Sequence, residues 1–279
     1  VENEFYRLVR DYPTVAFNYR SFTEGPNTPD KGFKHLCVLE PYIGQVENWM
    51  PDIINQYESY ICWNRKFMQN PAIKTKRYTV KGSVFCNHVV VLNNHLNYDE
   101  RIPGMCVLNK LYYTGKEGDI LMEREKAVSE LFNTTNFAIH VFAPTPWGGR
   151  CYQGPDGSPI HHSHPVQLER ISKYRFVLCF ESSYHEMWSY DFMTERLFNA
   201  FKAKTVPIYW GCWNIEDWVP TNLFIDMRKF ASYADLGEYM DDMSKQQWID
   251  MTEAAFEWEK TCDIGSMQAL DSILTGLTT

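Results

Sequence analysis

KYRFVLCFESSYHEMWSYDFMTERLFNAFKAKTVPIYWG, residues 173–211, is the stretch whose reading decides the fold. Residues 174–180 form a short run of apolar and β-favouring side chains, which reads as a buried strand. Asp191 is placed to cap a helix, and Met193, Leu197, Ala200 and Phe201 then fall on one helical face. Residues 205–210 are a second apolar run, closed by Gly211. Strand, loop, helix and strand at this spacing predict a βαβ unit in a parallel sheet. Such sheets take ligands at the carboxyl ends of their strands. Glu181, Ser182 and Ser183 leave the first strand at that end. Thr194, Glu195 and Arg196 fall in the first turn of the next helix, beside its anion-attracting N-terminus.

Working outward, the chain of 279 residues is long enough for one large or two small domains. Hydrophobic content of 44% and aromatic content of 15% exclude disorder. A net charge of −8 argues against nucleic acid as a partner, so a phosphate site has to be built locally from a few arginines. No apolar run approaches the roughly 20 residues of a membrane span, and the N-terminal VENEFYRLVRDYP is too charged for a signal peptide. The eight cysteines form no C-x-x-C pair, which reads as free thiols in a reducing compartment. The expectation is a soluble, cytoplasmic protein.

Strands are expected over residues 14–19, 35–39 and 60–63, with a short helix over 45–56. Residues 64–82 are basic and read as a connection, which sets a boundary there. Residues 84–92 (VFCNHVVVL) give the strongest strand signal. A polar segment at 93–118, a helix over 119–132, a strand over 136–142 and a Gly-, Pro- and His-rich loop over 144–165 lead to the central unit. Beyond it, Phe224 and Ile225 continue the sheet, helices are expected over 232–243 and 244–258, and a last helix over 265–277. The organisation read from this is a small domain over 1–81, a larger one over 82–264, and a C-terminal segment, 265–279, packing back on the first.

The residues FESS (180–183), DFMTER (191–196), TVPIYWG (205–211) and VPTNLFIDMRKF (219–230) resemble the donor-binding motif of the α1,3-fucosyltransferase family. That motif runs F-E-N-S, Y-V-T-E-K, V-P-[VI]-Y-x-G, and exostosin-like glycosyltransferases carry a looser form. The resemblance implies an α/β, GT-B-like fold with two facing Rossmann-like domains. It implies an inverting transfer from a nucleotide-sugar donor to an oligosaccharide acceptor. Carried onto this chain, Arg196 stands where the family has a diphosphate-binding lysine, and Glu195 where a glutamate holds the ribose hydroxyls. Asn93 and Arg124 match the segment that supplies a diphosphate-binding arginine. Thr194, Ser182 and Phe192 complete the donor set, although Ser182 replaces an asparagine, Phe192 a tyrosine and Lys204 a glycine. Glu40, at the end of a first-domain strand, stands where the family has its general base, with Asp99 and Glu100 as runners-up.

The residues themselves support part of this. Arg124 lies beside the apolar face of its helix, so its charge needs an anionic partner or an internal salt bridge. No Asp-x-Asp occurs, so arginine and helix dipoles are expected to stabilise the leaving diphosphate, with no metal and no other cofactor. His161, His162 and His164 read as a surface loop rather than a metal site. Of Trp147, Trp188, Trp210, Trp213 and Trp218, one is a candidate for stacking on a sugar, and the rest read as core. The departures at Ser182, Phe192 and Lys204 also fit the exostosin-like xylosyltransferases of large chlorella-infecting viruses. That resemblance implies transfer of xylose from UDP-xylose to a fucose of a capsid glycan; the alternatives are fucosyl transfer from GDP-fucose or a sugar-binding module without turnover.

Overall fold

The computed structural model describes residues 4–18, 20–21, 25–82, 92, 94–109, 113–142, 164–264 and 267–278. Two parallel sheets carry them. The first region contains α1 (Glu4–Asp11), β1 (Val15–Phe17), a separate antiparallel ribbon of β2 (Arg20–Ser21) and β3 (Gly25–Pro26), β4 (His35–Cys37), α2 (Pro51–Ile54), β5 (Ser59–Cys62) and β6 (Lys76–Thr79). Its four main strands run parallel in the order β1-β4-β5-β6. Every residue of β4 and β5 is buried, whereas Lys76, Arg77 and Thr79 of β6 face solvent. The basic segment expected as a connection therefore contains an edge strand. Charges that resemble a linker also protect an exposed edge from pairing with another chain. The helix expected over 45–56 is split into a 3₁₀ turn, Val46–Trp49, and α2. Pro51 supplies no N–H to continue the first turn and is preorganised to start the second.

The second sheet follows from β7 (Ile102–Leu108), α3 (Leu121–Thr134), β8 (Ala138–Phe142), α4 (His164–Ile171), β9 (Tyr174–Phe180), α5 (Glu195–Lys202), β10 (Val206–Trp210) and β11 (Ile225–Asp226). Then come α6 (Tyr233–Asp242), α7 (Lys245–Glu259) and α8 (Met267–Thr278). The strands lie parallel in the order β11-β10-β9-β7-β8. Val177 and Cys179 of β9 pack with Leu168, Leu197, Phe198 and Phe201 of α4 and α5. Phe176, Leu178 and Phe180 turn to the other face and meet Val128, Leu131, Leu236 and Met240 of α3 and α6. Burial on both faces is why this strand is almost continuously apolar. The strand β7 lies inside the segment read as polar loop, because Pro103 and Gly104 look like turn residues. The strand expected over 84–92 lies outside the described residues, apart from Leu92.

The two sheets share a core. Phe192 packs with the aromatic side chains of the first sheet, as do Leu270 and Leu274 of α8. Asp271 accepts hydrogen bonds from Arg7 and from the Tyr12 hydroxyl (2.7 Å). Lys204 has φ of 50°, the left-handed conformation a glycine adopts without penalty, and its ammonium is held by Glu253 at 2.8 Å. That accounts for the family glycine at this position.

Candidate active site

The strand order fixes where a ligand goes. The chain moves from β7 through α3 to β8 on one side, and from β9 through α5 to β10 on the other. The direction of winding reverses between β7 and β9, and the crevice outside the carboxyl ends of these strands is where such sheets bind ligands. Asn109 ends β7 there, and Glu181 ends β9.

Glu181 is fully buried. Its carboxylate accepts the Thr194 N–H (2.8 Å), the Thr194 hydroxyl (2.8 Å) and Nη1 of Arg196 (3.1 Å). Burial pushes the Glu181 carboxyl above the usual range, while Arg196 and the two Thr194 donors pull against it. Gly211 makes the arrangement possible, since a Cβ at that position would stand 2.2 Å from Glu181 Cγ. The closing glycine of the VPIYWG stretch is thus the space occupied by the glutamate of FESS.

Thr194, not Asp191, is the N-cap of α5; its side chain accepts the Arg196 N–H. Asp191 is buried with φ of 63° and is spent elsewhere. It takes Nε and Nη2 of Arg65 (2.9 and 2.7 Å), Nδ2 of Asn214 (3.0 Å) and Nε1 of Trp218 (2.7 Å). Arg65 also lies over the Trp218 ring. This clamp ties the segment leading into α5 to the first sheet.

Arg196 is anchored by Thr194 Oγ1 (2.9 Å), Glu181 and Asn109 Oδ1 (3.3 Å). Among the described residues no partner takes its Nη2. Glu195 is half-buried, and none of the described residues bonds its carboxylate. A helix N-terminus, a held guanidinium and an uncommitted carboxylate are arranged side by side. They suit an anion attached to a hydroxylated ring.

Glu40 arrives from the first sheet. Asn18, in the left-handed conformation (φ 62°), accepts the N–H groups of Leu39 (2.8 Å) and Glu40 (3.2 Å) through Oδ1 and so fixes the strand end. Burial raises the Glu40 carboxyl above the usual carboxylate range, Glu195 raises it further, and Arg196 opposes both. The structure therefore brings Glu40, Glu195 and Arg196 into one electrostatic neighbourhood. Among the described residues nothing donates to the Glu40 carboxylate.

A family model, the glycosyltransferase family 10 (fucosyltransferase) C-terminal domain, matches residues 116–275. The chain belongs to this glycosyltransferase family. It is similar to GDP-fucose protein O-fucosyltransferase 3 of Xenopus laevis, 30% identical over 119 residues, covering 42% of this chain and 23% of the relative. It is also similar to mouse 4-galactosyl-N-acetylglucosaminide 3-alpha-L-fucosyltransferase 9, 35% identical over 95 residues, covering 33% of this chain and 25% of that one. The chain thus spans about a quarter of the length of these curated relatives. The solved structure of TarM superimposes with a TM-score of 0.54 at 10% identity, over 95% of this chain and 50% of TarM. The fold is that of the GT-B glycosyltransferases.

Other expected site residues of this family member fall differently. Arg124 is buried, and its Nε (3.2 Å) and Nη2 (2.8 Å) both donate to the Phe180 carbonyl. In this conformation it supports the end of β9 directly before Glu181. Phe192 is a correction to the donor set: it is buried against Trp63, with ring centroids 5.1 Å apart, and faces the core between the sheets. Ser182 is half-buried, and its carbonyl accepts the Ile120 N–H at 3.2 Å. Asp99 and Glu100 precede β7 and so sit at the opposite end of the sheet from the crevice, where Asp99 pairs with Lys245 and Glu100 accepts the Asn97 N–H. Neither is placed to replace Glu40. Asn93, His161 and His162 lie outside the described residues, and His164 begins α4. Asn109 had no signal to find it, since β7 itself was hidden. No cluster of His, Cys, Asp and Glu suited to a metal ion occurs among the described residues, and none of their helices is long and apolar enough to cross a membrane.

Proposed function

We propose that this chain transfers fucose from GDP-fucose to a hydroxyl of a glycan, with inversion at the anomeric carbon. The observation that carries the reading is the convergence of Glu195 and Arg196 from one sheet with Glu40 from the other. Arg196 and the N-terminus of α5 hold the diphosphate, and Glu195 accepts hydrogen bonds from the ribose hydroxyls. Glu40 takes the proton of the acceptor hydroxyl as its oxygen bonds to the anomeric carbon. The bond from that carbon to the diphosphate breaks, and its electron pair leaves with GDP, whose growing charge Arg196 and the helix dipole stabilise. Trp210, whose carbonyl takes the Glu181 N–H, also lines an open recess of about 460 Å³ with Tyr184, Arg228 and Tyr233. We assign that room to the remainder of the donor. In this reading residues 1–81 present the acceptor side and residues 82–264 the donor side.

The family match and the GDP-fucose named for the Xenopus relative support this donor over the UDP-xylose expected from the sequence. The test is a thermal-shift panel of GDP, UDP, GDP-fucose and UDP-xylose, followed by release of GDP in the presence of methyl glycosides. GDP is expected to raise the melting temperature more than UDP. A preference for UDP would restore the xylosyl reading, and no response to any nucleotide would favour a sugar-binding module.

A further inference from the structure

The turn that follows Glu40 carries an aromatic surface that the transfer chemistry leaves unused. Glu40 folds over residues 41–44, with Oε2 3.3 Å from the place a Gly44 Cβ would take. Tyr42 projects from the same turn and is half-buried. One face of its ring is covered by Trp188, with centroids 4.2 Å apart and planes 12° from parallel.

That backing is rigidly built. Trp188 meets Trp49 edge-on, and its Nε1 donates to Glu117 (3.2 Å). The other oxygen of Glu117 lies 3.3 Å from His185 Nε2. Gly118 (φ 80°) leaves room for His185, because a Cβ there would sit 2.6 Å from His185 Cβ. Lys116 donates to the Ile43 carbonyl at 2.8 Å and ties the turn to the same loop. The platform is therefore held by residues 116–118 and 185–188 of the second region while being presented by the first.

Tyr42 packs at the edge of the core and keeps partial exposure; among the described residues none bonds its hydroxyl, and no ring other than Trp188 stacks on it. A pyranose offers a face of axial C–H groups that packs flat on an aromatic ring, with hydroxyls at its rim to meet the phenol. A nucleoside diphosphate has no reason to lie here, since its anion site is at α5. We propose that Tyr42 is the platform on which the acceptor sugar stacks, so that the hydroxyl to be glycosylated reaches Glu40. Trp188 is the backing that holds Tyr42 flat rather than the sugar-stacking ring itself.

This inference rests on the transferase reading, and the experiment separates the two. Methyl glycosides of galactose, N-acetylglucosamine, fucose and xylose are mixed with the GDP-loaded protein. Saturation-transfer NMR, with irradiation of the aromatic protons, reports which sugar protons touch a ring. GDP affinity by calorimetry is measured on the same samples and tests the transferase reading alone. For wild type, one sugar should receive saturation on one face. Tyr42→Ala should abolish that transfer and raise the acceptor KM roughly tenfold with GDP affinity unchanged. Tyr42→Trp should restore both. Persistence of the transfer in Tyr42→Ala, its absence for every sugar with wild type, or a parallel loss of GDP affinity in Tyr42→Ala would each overturn the proposal.

Discussion

Glu181 and Glu40 are both glutamates at the end of a parallel strand, both buried enough to raise their carboxyl groups, and they meet opposite fates. Glu181 is satisfied by Thr194 and Arg196 and fits against Gly211, which fixes its position. Glu40 has its backbone fixed by Asn18, but its carboxylate receives no donor from the described residues. Glu195 works against its ionisation. A carboxylate that accepts three fixed donors organises its surroundings, whereas one held in place without donors can take a proton. The difference teaches that the strand-end glutamate belonging to the recognisable motif is the scaffold, and the less conspicuous one is the candidate base.

The largest expected effect breaks the Glu40 side of this comparison. Glu40→Gln keeps size and shape, yet turnover should fall by about 10²–10⁴, the scale for losing a general base. In the wild-type protein, initial rates should fall as pH drops through a pKa above the ordinary carboxylate range, because the base must be ionised. Near wild-type turnover in the variant would remove Glu40 from the mechanism.

The Glu181 side should fail in a different way. Glu181→Ala strands Arg196 and two Thr194 donors, and should cost about 3 kcal/mol, at the lower end for breaking a buried pair because Arg196 keeps some solvent contact. Calorimetric melting should show it as a fall of about 6–12 °C. Gly211→Ala, which drives a methyl group into Glu181, should destabilise in the same direction by about 1–3 kcal/mol. A melting temperature unchanged in both variants would contradict the scaffold role.

The smallest effect sharpens the comparison through pH. The folded pKa of Glu40 lies above its unfolded value, so the folded state binds the extra proton between the two. That contribution to stability is fully present below the unfolded pKa and is lost as pH rises through the folded one. Glu40→Gln should therefore melt slightly above wild type at neutral pH and converge with it in acid. The reverse ordering at neutral pH would mean that ionised Glu40 has a donor and stabilises the fold.

Much of the candidate site on the second sheet was legible because periodicity and chemistry coincide there. The strand β9, the apolar face of α5 and the place of Glu195 and Arg196 in its first turn follow from spacing, whereas the cap is Thr194 rather than Asp191. What was hidden follows from residues whose local preference tertiary structure overrides. Pro103 and Gly104 mask the buried strand β7, and with it Asn109. Lys76 and Arg77 disguise the edge strand β6. Asp191, read as a cap, is claimed by Arg65 from the other sheet, a contact 126 residues away in sequence. Phe192 has lost the hydroxyl expected for the donor side, and it points into the shared core. Arg124 illustrates the opposite limit: its burial was foreseeable from its helical position, but its acceptor, the Phe180 carbonyl, depends on the sheet.

The division of labour between the two sheets is tested most directly by calorimetric titration of GDP into Arg196→Ala and Glu40→Gln beside wild type. Arg196→Ala removes charge-assisted bonds to the diphosphate and should weaken GDP binding by about 1.5–3 kcal/mol, roughly 10- to 150-fold. Glu40→Gln should bind GDP as wild type does. Unchanged affinity in Arg196→Ala, or a comparable loss in Glu40→Gln, would contradict the account.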